Sequence, residues 1–312
     1  MNVARPLVLL FGKLMASRAA EWSAEYETFV LESAADPLPE AIAARIEVVA
    51  SGDHLPNSVV DALPALKLVA CFSTGFPHID FGHLQKRGIR LTTAAGINAH
   101  DVADHAVALL LAVWHRIPQA DRKVREGGWR EMADARPSLR GKRAGIVGLG
   151  RIGAGIASRL AAHEIDVTWW GPRPKPEAGY ERAPSLLALA ERSDILIVAT
   201  RADPANARQI DTAVLRALGP GGLLVNISRG FLIDESALIA ALRAGELGGA
   251  ALDVFEDEPT DPDKWRGVPN VVLTPHLAGF TREAGEDLPR QQRENVRRYF
   301  AGEPLLTPVD SR

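Results

Sequence analysis

The sequence contains a single cysteine, no long apolar run and little net charge. Cys71 alone cannot form an internal disulfide, and one thiolate is too few for a zinc site built from cysteines. We therefore expect a cytoplasmic protein without a bound metal. No stretch approaches the ~20 apolar residues that span a membrane, so no membrane partner is expected. The apolar segment 6–11 is shorter than a signal-peptide core and is predicted to be a buried strand.

The charge balance gives no reason to expect nucleic acid as a partner. Basic residues number 36 and acidic residues 39, so the formal net charge is −3. Small molecules are the expected ligands. With 312 residues, of which 46% are hydrophobic, the chain is long enough for two domains that each bury a core.

Short apolar runs divide the sequence into two βα regions, which predicts an α/β fold. In the first region, runs at 7–11, 46–50, 68–72 and 89–92 alternate with helical stretches, as in a small flavodoxin-like domain with a parallel sheet. From Arg143 onward the alternation is more regular. Six runs there predict a Rossmann-type doubly wound parallel sheet; they lie at 144–147, 167–170, 195–199, 223–227, 250–254 and 271–273.

A long helical pattern at 98–116 separates these regions. It is apolar around much of its circumference, so we expect it to be buried between the domains. A polar stretch at 121–140 leads from it into the second sheet. A polar helix is predicted after Thr281 and ends near Gly302.

The motif GLGRIG at 148–153 follows a predicted strand and precedes a helix predicted at 154–162. In this context Gly148 permits a tight turn, Gly150 lets the backbone approach a pyrophosphate, and Gly153 allows close packing of helix on strand. N–H groups at the start of the helix then attract the phosphates. Ordinary turn glycines are the alternative, and the strand and helix on either side favour a dinucleotide site.

The end of the next strand favours NADP over NAD. An acid at this position would bind the ribose 2′-hydroxyl of NAD, but no carboxylate follows the strand before Glu177, and Asp166 lies at its start. Arg173 and Lys175 follow the strand instead and could bind a 2′-phosphate. NAD remains possible, because the alternative is a solvated basic turn stiffened by proline.

Three polar residues each follow an apolar run of the second region. If these runs are parallel strands, Arg229, Glu258 and His276 meet at one edge of the sheet. Arg229 could bind a carboxylate and polarise an adjacent ketone, and a histidine can donate a proton to the ketone oxygen near neutral pH. Pro259 restricts the backbone of Glu258, which could then orient the histidine. Taken singly, each residue has a structural alternative: a surface arginine, a solvated acid or a packed histidine.

The other histidines do not predict a metal site. His100 and His105 lie on the long helix beside Asp101 and Asp104, but no third ligand is evident. Helix capping or polar contacts between domains explain them better. A Ser/His/Asp hydrolase is disfavoured because the sequence has no GxSxG motif.

At these motifs the sequence resembles the D-isomer-specific 2-hydroxyacid dehydrogenases, and among them the hydroxyphenylpyruvate and glyoxylate/hydroxypyruvate reductases. The matching stretches are 72–80, 101–104, 141–153, 221–259, 274–279 and 304–308. The resemblance implies NADPH-preferring reduction of a small 2-oxoacid to the D-2-hydroxyacid by a homodimer that associates through 98–140. It also implies a substrate domain of residues 1–97 and 283–312, which closes on a dinucleotide-binding domain of residues 98–282.

The resemblance also implies roles for individual residues. Arg229 would bind the substrate carboxylate and carbonyl, His276 would supply the proton, and Glu258 would pair with His276. Further substrate contacts are expected from Ser51 and from the N–H groups of Thr74 and Gly75. Ser51, Gly52 and His54 are expected to line the end of the pocket that receives the substrate side chain, where small residues leave room. Cofactor contacts are expected from Val102, Gly148, Gly150, Arg151, Ile152, Gly153, Trp170, Gly171, Arg173, Lys175, Thr200, Arg201, Ile227, Ser228, Arg229, Asp253, His276 and Gly279.

The sequence departs from the family pattern at several positions. His78 lies where an acid or amide is usual nearby, and Pro172 occupies the place of the arginine found in NADP-type members, with Arg173 one position later. Arg201 adds a cation near the expected cofactor. A non-catalytic dinucleotide sensor or corepressor is one alternative, which the complete set of three polar residues disfavours. An NAD-dependent phosphoglycerate dehydrogenase is another, disfavoured because we expect no regulatory domain after residue 312.

Overall fold

The computed structural model describes residues 5–52, 54–132 and 135–309. The strands are β1 Leu7–Phe11, β2 Glu27–Leu31, β3 Val48–Ser51, β4 His54–Leu55, β5 Leu68–Cys71, β6 His78–Ile79, β7 Arg90–Thr92, β8 Arg143–Val147, β9 Asp166–Trp170, β10 Glu181–Arg182, β11 Ile195–Val198, β12 Leu223–Asn226, β13 Gly249–Leu252 and β14 Val271–Leu273. The α-helices are α1 Lys13–Ala16, α2 Ala19–Ser23, α3 Glu40–Ala43, α4 Asn57–Asp61, α5 Phe81–Lys86, α6 Ala99–Trp114, α7 Ile117–Arg125, α8 Arg151–Ala162, α9 Leu186–Glu191, α10 Thr212–Leu218, α11 Glu235–Ala244, α12 Pro262–Trp265 and α13 Arg282–Phe300.

The chain divides into two compact units. The smaller unit comprises residues 1–97 and 281–312, and the larger unit comprises residues 98–280. The sequence prediction places the last boundary at residue 283, whereas the smaller unit resumes at residue 281. Each unit is built around its own parallel sheet, so the chain has the α/β fold that the alternation of apolar runs predicts.

The sheet of the smaller unit has the strand order β2-β1-β3-β5-β7, with every neighbouring pair parallel. This is the flavodoxin order. All five residues of β1 are buried, because helices cover both faces of the sheet. Leu7, Leu9 and Phe11 pack into the core on one face, and Val8 and Leu10 pack into the core on the other.

The apolar runs of the sequence predict four strands of this sheet and miss β2. Its sequence, ETFVL, lies at the edge of the sheet, and only Leu31 is buried. An edge strand has one free side and needs no continuous apolar run. Apolar pattern alone therefore could not find it.

The C-terminal helix α13 belongs to the smaller unit. Val296 is fully buried in the core on one face of the sheet. The buried amide of Gln292 donates hydrogen bonds to the carbonyls of Ser51 at 3.0 Å and Ala70 at 2.7 Å, near the ends of two neighbouring strands. These contacts fix the helix to the sheet from the far end of the sequence.

The larger unit has a seven-stranded sheet in the order β10-β9-β8-β11-β12-β13-β14, again with all neighbours parallel. The sequence predicts six of these strands. The seventh, β10, is a two-residue edge strand whose residues are both exposed, so it leaves no apolar signal.

Helix α6 is the buried helix that the sequence predicts. Its buried residues, including Val102, Ala106 and Leu110, join the core of the larger unit together with residues of α8 and the sheet. These contacts place the buried side of α6 in the core of the larger unit. Among the described residues, no helix is long and apolar enough to cross a membrane.

Candidate active site

The loop 148–153 joins β8 to α8 and has the geometry of a phosphate loop. Gly148 has φ +94°, and a Cβ on it would lie 2.5 Å from the Cα of Thr200, so no larger residue fits. A Cβ on Gly153 would lie 2.1 Å from the carbonyl oxygen of Gly148. At Gly150 a Cβ would instead meet open space. Two glycines therefore permit close packing, and the third leaves the backbone open to a ligand.

Helix α8 begins inside this motif, at Arg151 rather than at residue 154 as predicted. Gly150 is its N-cap, and no side chain caps the helix. The first N–H groups of an α-helix have no partner within the helix. At this uncapped terminus they can donate to phosphate oxygens, so the loop fits the pyrophosphate of a dinucleotide.

The cations expected at the end of β9 differ in what they contact. Lys175 Nζ donates a hydrogen bond of 2.6 Å to the carbonyl of Leu149, so this side chain is tied to the phosphate loop. Arg173 is exposed and has no hydrogen bond or ion pair within the described ranges. Of the predicted pair, Arg173 is the cation left available to a ligand.

A third cation, Arg182, also lies at the end of β9, and the sequence does not predict it there. Its guanidinium donates to the carbonyl of Gly171 at 2.7 and 3.2 Å and lies over the ring of Trp169, 5.9 Å from its centroid. Arg182 belongs to β10. Because that strand leaves no apolar signal, its pairing with β9 could not be read from the sequence.

Residues at the ends of β11 and β12 are joined directly. The Ser228 hydroxyl donates to the carbonyl of Thr200 at 2.5 Å. Ile227, next to Ser228 in the sequence, is buried. Arg201 is exposed, and its backbone carbonyl accepts a hydrogen bond of 2.9 Å from the side-chain amide of Asn206. These expected cofactor residues therefore lie at the same sheet edge as the phosphate loop.

Arg229, Glu258 and His276 follow the neighbouring strands β12, β13 and β14. Because these strands are parallel, their carboxyl ends lie at one edge of the sheet, as predicted. His276 Nδ1 lies 2.7 Å from Glu258 Oε2, and the side chains are 44% and 37% exposed. The other carboxylate oxygen of Glu258 accepts from the N–H of Phe255 at 3.1 Å. Among the described residues, His276 Nε2 has no hydrogen-bond partner, so this nitrogen can face a ligand.

The backbone around Arg229 packs closely against the segment that leads to Glu258. A Cβ on the buried Gly230 would lie 1.8 Å from the carbonyl carbon of Phe255. The Asn226 side chain accepts from the N–H of Ser228 and donates to the carbonyl of Arg229, both at 3.0 Å. Nη1 of Arg229 donates to the carbonyl of Ser228 at 2.7 Å.

The loop that carries His276 is held by a buried carboxylate, Asp253. Its Oδ1 accepts from the Thr274 hydroxyl at 2.5 Å and from the N–H of Leu277 at 2.8 Å. Its Oδ2 accepts from the N–H of Ala278 at 2.8 Å. The carbonyl of Asp253 accepts from the N–H of His276, also at 2.8 Å. Asp253 was predicted only as a cofactor contact, and its side chain is fully engaged in ordering this loop.

The backbone of His276 has φ +53°, in the left-handed region. A residue other than glycine in this region costs about 1 kcal/mol or more, so the surrounding contacts must hold it there. Asp253 supplies those contacts on both sides of the histidine. The geometry of His276 is therefore determined by a residue that the sequence prediction did not connect with it.

His105, on α6, also contacts this network. Its Nε2 lies 3.1 Å from the Thr274 hydroxyl and 3.4 Å from Asp253 Oδ1. The expectation of a helix cap or a contact between domains is wrong for His105, because both partners lie in its own unit.

A second buried carboxylate, Glu235, holds the segment before Glu258. It lies in the first turn of α11 and is 1% exposed. One carboxylate oxygen accepts a hydrogen bond from the N–H of Glu256. The other forms an ion pair with Lys264 Nζ at 2.5 Å. From the sequence alone, Glu235 could be recognised only as an acidic residue in the first turn of a helix, which is common and does not indicate a buried partner.

The substrate residues predicted in the smaller unit lie at the carboxyl ends of its strands. Ser51 ends β3 and is fully buried, and its hydroxyl has no partner among the described residues. Thr74 and Gly75 lie in the loop after β5, where the Cys71 thiol contacts the carbonyl of Gly52 at 2.8 Å and that of Gly75 at 3.9 Å. Within the described part of the chain, no cluster of histidine, cysteine or acidic residues could hold a metal ion.

Comparisons with known proteins identify the family of this chain. The profile described as "D-isomer specific 2-hydroxyacid dehydrogenase, NAD binding domain" matches residues 107–278. Hydroxyphenylpyruvate reductase of Plectranthus scutellarioides is 42% identical over 253 residues, which is 80% of this chain and 80% of that protein. A glyoxylate/hydroxypyruvate reductase of Arabidopsis thaliana is 36% identical over 293 residues, or 91% of each chain.

A solved structure is similar over almost its whole length. It is the NADPH-dependent glyoxylate/hydroxypyruvate reductase of Sinorhizobium meliloti in complex with NADP and malonate. The TM-score is 0.87 at 35% sequence identity, and the similarity covers 98% of this chain and 97% of that one.

Proposed function

Because the chain belongs to the D-isomer-specific 2-hydroxyacid dehydrogenases, which use NAD or NADP, we propose that it reduces a 2-oxoacid to the D-2-hydroxyacid with NADPH as the preferred donor. The observation that carries the proposal is the His276–Glu258 pair of 2.7 Å. It lies at the strand edge that also carries the phosphate loop and Arg229. This edge combines a cofactor site with a proton donor and a cation.

The reaction adds a hydride to the carbonyl carbon and a proton to the carbonyl oxygen. Bound NADPH supplies the hydride. His276 donates the proton from Nε2, while Glu258 accepts the hydrogen bond from Nδ1–H and stabilises the cationic ring. Arg229 binds the carboxylate by charge-assisted hydrogen bonds and polarises the carbonyl. Ser51 and the N–H groups of Thr74 and Gly75 are proposed to contact the substrate as well.

The proposed preference for NADPH depends on Arg173. A 2′-phosphate needs a cation at the end of β9, and this side chain is exposed and has no partner in the described part of the chain. Lys175 and Arg182 lie beside it, although both already donate to carbonyls. Arg173→Ala should raise the KM for NADPH about tenfold or more and leave the KM for NADH nearly unchanged. Arg216→Ala, an exposed arginine on α10, is the matched control.

The proton-donor assignment is tested with His276→Ala. Loss of general acid catalysis should lower kcat about 10²- to 10⁴-fold, while NADPH still binds, as measured by fluorescence titration. His163→Ala, at the exposed end of α8, is the matched control. Wild-type turnover of hydroxypyruvate and glyoxylate by His276→Ala would reject the assignment.

A homodimer through 98–140 is also proposed. On and after α7, apolar side chains are exposed, including Val124 (57%), Trp129 (72%) and Met132 (90%). We propose that these side chains are covered by the partner subunit, since large apolar side chains left exposed close together in the sequence are typical of an interface. Trp129→Glu should shift the mass measured by light scattering from dimer to monomer, and a monomeric wild-type protein would contradict the proposal.

A further inference from the structure

A pocket of about 360 Å³ lies at the carboxyl edge of the smaller unit's sheet. Its walls are residues 11–14 after β1, 32–34 after β2, and Gly52, His54 and Pro56 after β3, with Ser73 after β5. In the strand order β2-β1-β3-β5-β7, the chain turns to one side after β1 and crosses to the other side for β3. Open α/β sheets bind ligands outside the strand ends at such a switch point.

The pocket adjoins the residues proposed to contact the substrate within this unit. Ser73 immediately precedes Thr74 and Gly75, and Gly52 follows Ser51. A 2-oxoacid whose carboxylate is bound by these N–H groups has its side chain within reach of the pocket. This step depends on the proposed function, which assigns the carboxylate to that loop.

The size of the pocket disfavours the smallest 2-oxoacids. Small-molecule sites usually enclose ~300–1,000 Å³, and the pocket falls at the lower end of that range. Glyoxylate has no side chain and would leave the space unfilled. An extended side chain could instead lie against Leu14, which is 44% exposed, and against Pro56.

The charges of the pocket favour a neutral polar side chain. Lys13 and Glu32 both contribute to its lining, and both are exposed, with no ion pair between their side chains and any other described residue. An ammonium group only donates hydrogen bonds and a carboxylate only accepts them, whereas a hydroxyl can do both. A second anionic group on the substrate would meet Glu32 as well as Lys13. A phosphorylated or dicarboxylic 2-oxoacid is therefore disfavoured.

We propose that this pocket is the site of the substrate's side chain, and that the preferred substrates are 2-oxoacids with an extended, uncharged side chain that carries a hydroxyl group. The hydroxyl group accepts a hydrogen bond from Lys13 and donates one to Glu32. The carbon skeleton packs on Leu14 and Pro56.

Initial rates with NADPH test the proposal directly. The panel is glyoxylate, phenylpyruvate, 4-hydroxyphenylpyruvate, 2-ketogluconate and 3-phosphohydroxypyruvate. We expect kcat/KM for at least one of the two hydroxylated, uncharged compounds to exceed that for glyoxylate and for the phosphorylated compound by about tenfold or more. The aryl and the polyhydroxylated compound distinguish the two kinds of skeleton. A preference for glyoxylate or for 3-phosphohydroxypyruvate would overturn the proposal.

Variants connect the preference to the pocket. A Cβ on Gly52 would lie 3.9 Å from Leu14 Cδ2, in ordinary contact, so Gly52→Phe can extend into the pocket. It should lower kcat/KM for the extended substrate about ten times more than for glyoxylate. Lys13→Met and Glu32→Gln should each reduce the preference for 4-hydroxyphenylpyruvate over phenylpyruvate. Lys86 is an exposed lysine outside the pocket. Lys86→Met should leave unchanged both the kcat/KM ratio of the extended substrate to glyoxylate and that of 4-hydroxyphenylpyruvate to phenylpyruvate. Equal losses on all substrates in Gly52→Phe would refute the assignment.

Failure of the proposed function gives a different result. In that case none of the 2-oxoacids is reduced, and calorimetry with 4-hydroxyphenyllactate tests the pocket alone. Binding that is weakened by Gly52→Phe supports the pocket, whereas absent or unchanged binding overturns it.

Discussion

Replacing Asp253 with asparagine tests whether a buried carboxylate holds the loop that carries His276. The carboxylate accepts from the Thr274 hydroxyl and from the N–H groups of Leu277 and Ala278. Asparagine has the same shape but only one accepting oxygen. Its NH₂ group must therefore face one of these donors, and at least one charge-assisted hydrogen bond is lost.

The size of the effect follows from the hydrogen bonds that asparagine cannot accept. A hydrogen bond to a charged group contributes about 1.5–3 kcal/mol, and a buried donor left without an acceptor costs about 1–3 kcal/mol. We take the combined loss as about 3 kcal/mol, since the two values overlap in what they count. The His276 backbone at φ +53° is then no longer held against its own strain. Since ~1.4 kcal/mol is tenfold in rate, kcat/KM should fall about hundredfold.

The assay is NADPH consumption with a 2-oxoacid, combined with urea unfolding and an NADPH titration. Thr274→Val is the graded comparison, because it removes one neutral donor and leaves both N–H bonds to Asp253. It should cost about 1.5 kcal/mol, the lower end for a hydrogen bond to a charged group, or roughly tenfold in kcat/KM. Asp253→Asn with kcat/KM within threefold of the wild type would refute the reasoning, as would a larger loss in Thr274→Val.

Other substitutions test separate parts of the structure. Gly153→Ala should destabilise the fold and weaken NADPH binding about tenfold or more, because the new Cβ would lie 2.1 Å from the Gly148 carbonyl; unchanged affinity by fluorescence titration would contradict this. Glu235→Ala should lower the urea-unfolding free energy by about 2 kcal/mol, since it removes the ion pair with the partly exposed Lys264 and leaves the N–H of Glu256 without its acceptor, whereas a loss no larger than that of Glu191→Ala would show that the pair contributes little. Hydrogen bonds from Arg297 and Arg298 lower the pKa of Glu294 from 4.5 to about 2. The stabilisation of the fold by these ion pairs is therefore fully present above pH 4.5 and is lost as the pH falls toward 2. Glu294→Gln should therefore narrow the difference in unfolding free energy between pH 6 and pH 3, and an unchanged difference would count against the pairing.

The sequence predicts the central strands because their physical cause is local. A parallel strand covered on both faces needs a continuous apolar run, and β8, β11 and β12 each show one. The edge strands β2 and β10 lack this requirement. Their place depends on pairing with a neighbour, which no single segment encodes, and Arg182 was missed with β10 for the same reason.

In the candidate site, too, some features follow from the local sequence and others depend on contacts between distant parts of the chain. The positions of Arg229, Glu258 and His276 are consequences of strand order, so parallel strands alone bring them to one edge. The contact of His105 with Thr274 joins residues 169 positions apart. Nothing in the pattern around His105 specifies this partner. Packing of α6 against the sheet decides it, and that packing is known only from the structure.

The exposed pair of His276 and Glu258 cannot by itself hold the proton donor in place. Partly exposed ion pairs contribute about 0–1 kcal/mol, and these side chains are 44% and 37% exposed. The left-handed backbone of the histidine costs about 1 kcal/mol or more, so the pair alone leaves the loop no net preference for this conformation. The bonds to the buried Asp253 exceed that cost. The orientation of His276 therefore depends more on Asp253 than on Glu258, whose carboxylate at Nδ1 directs the other ring nitrogen, Nε2, toward the ligand.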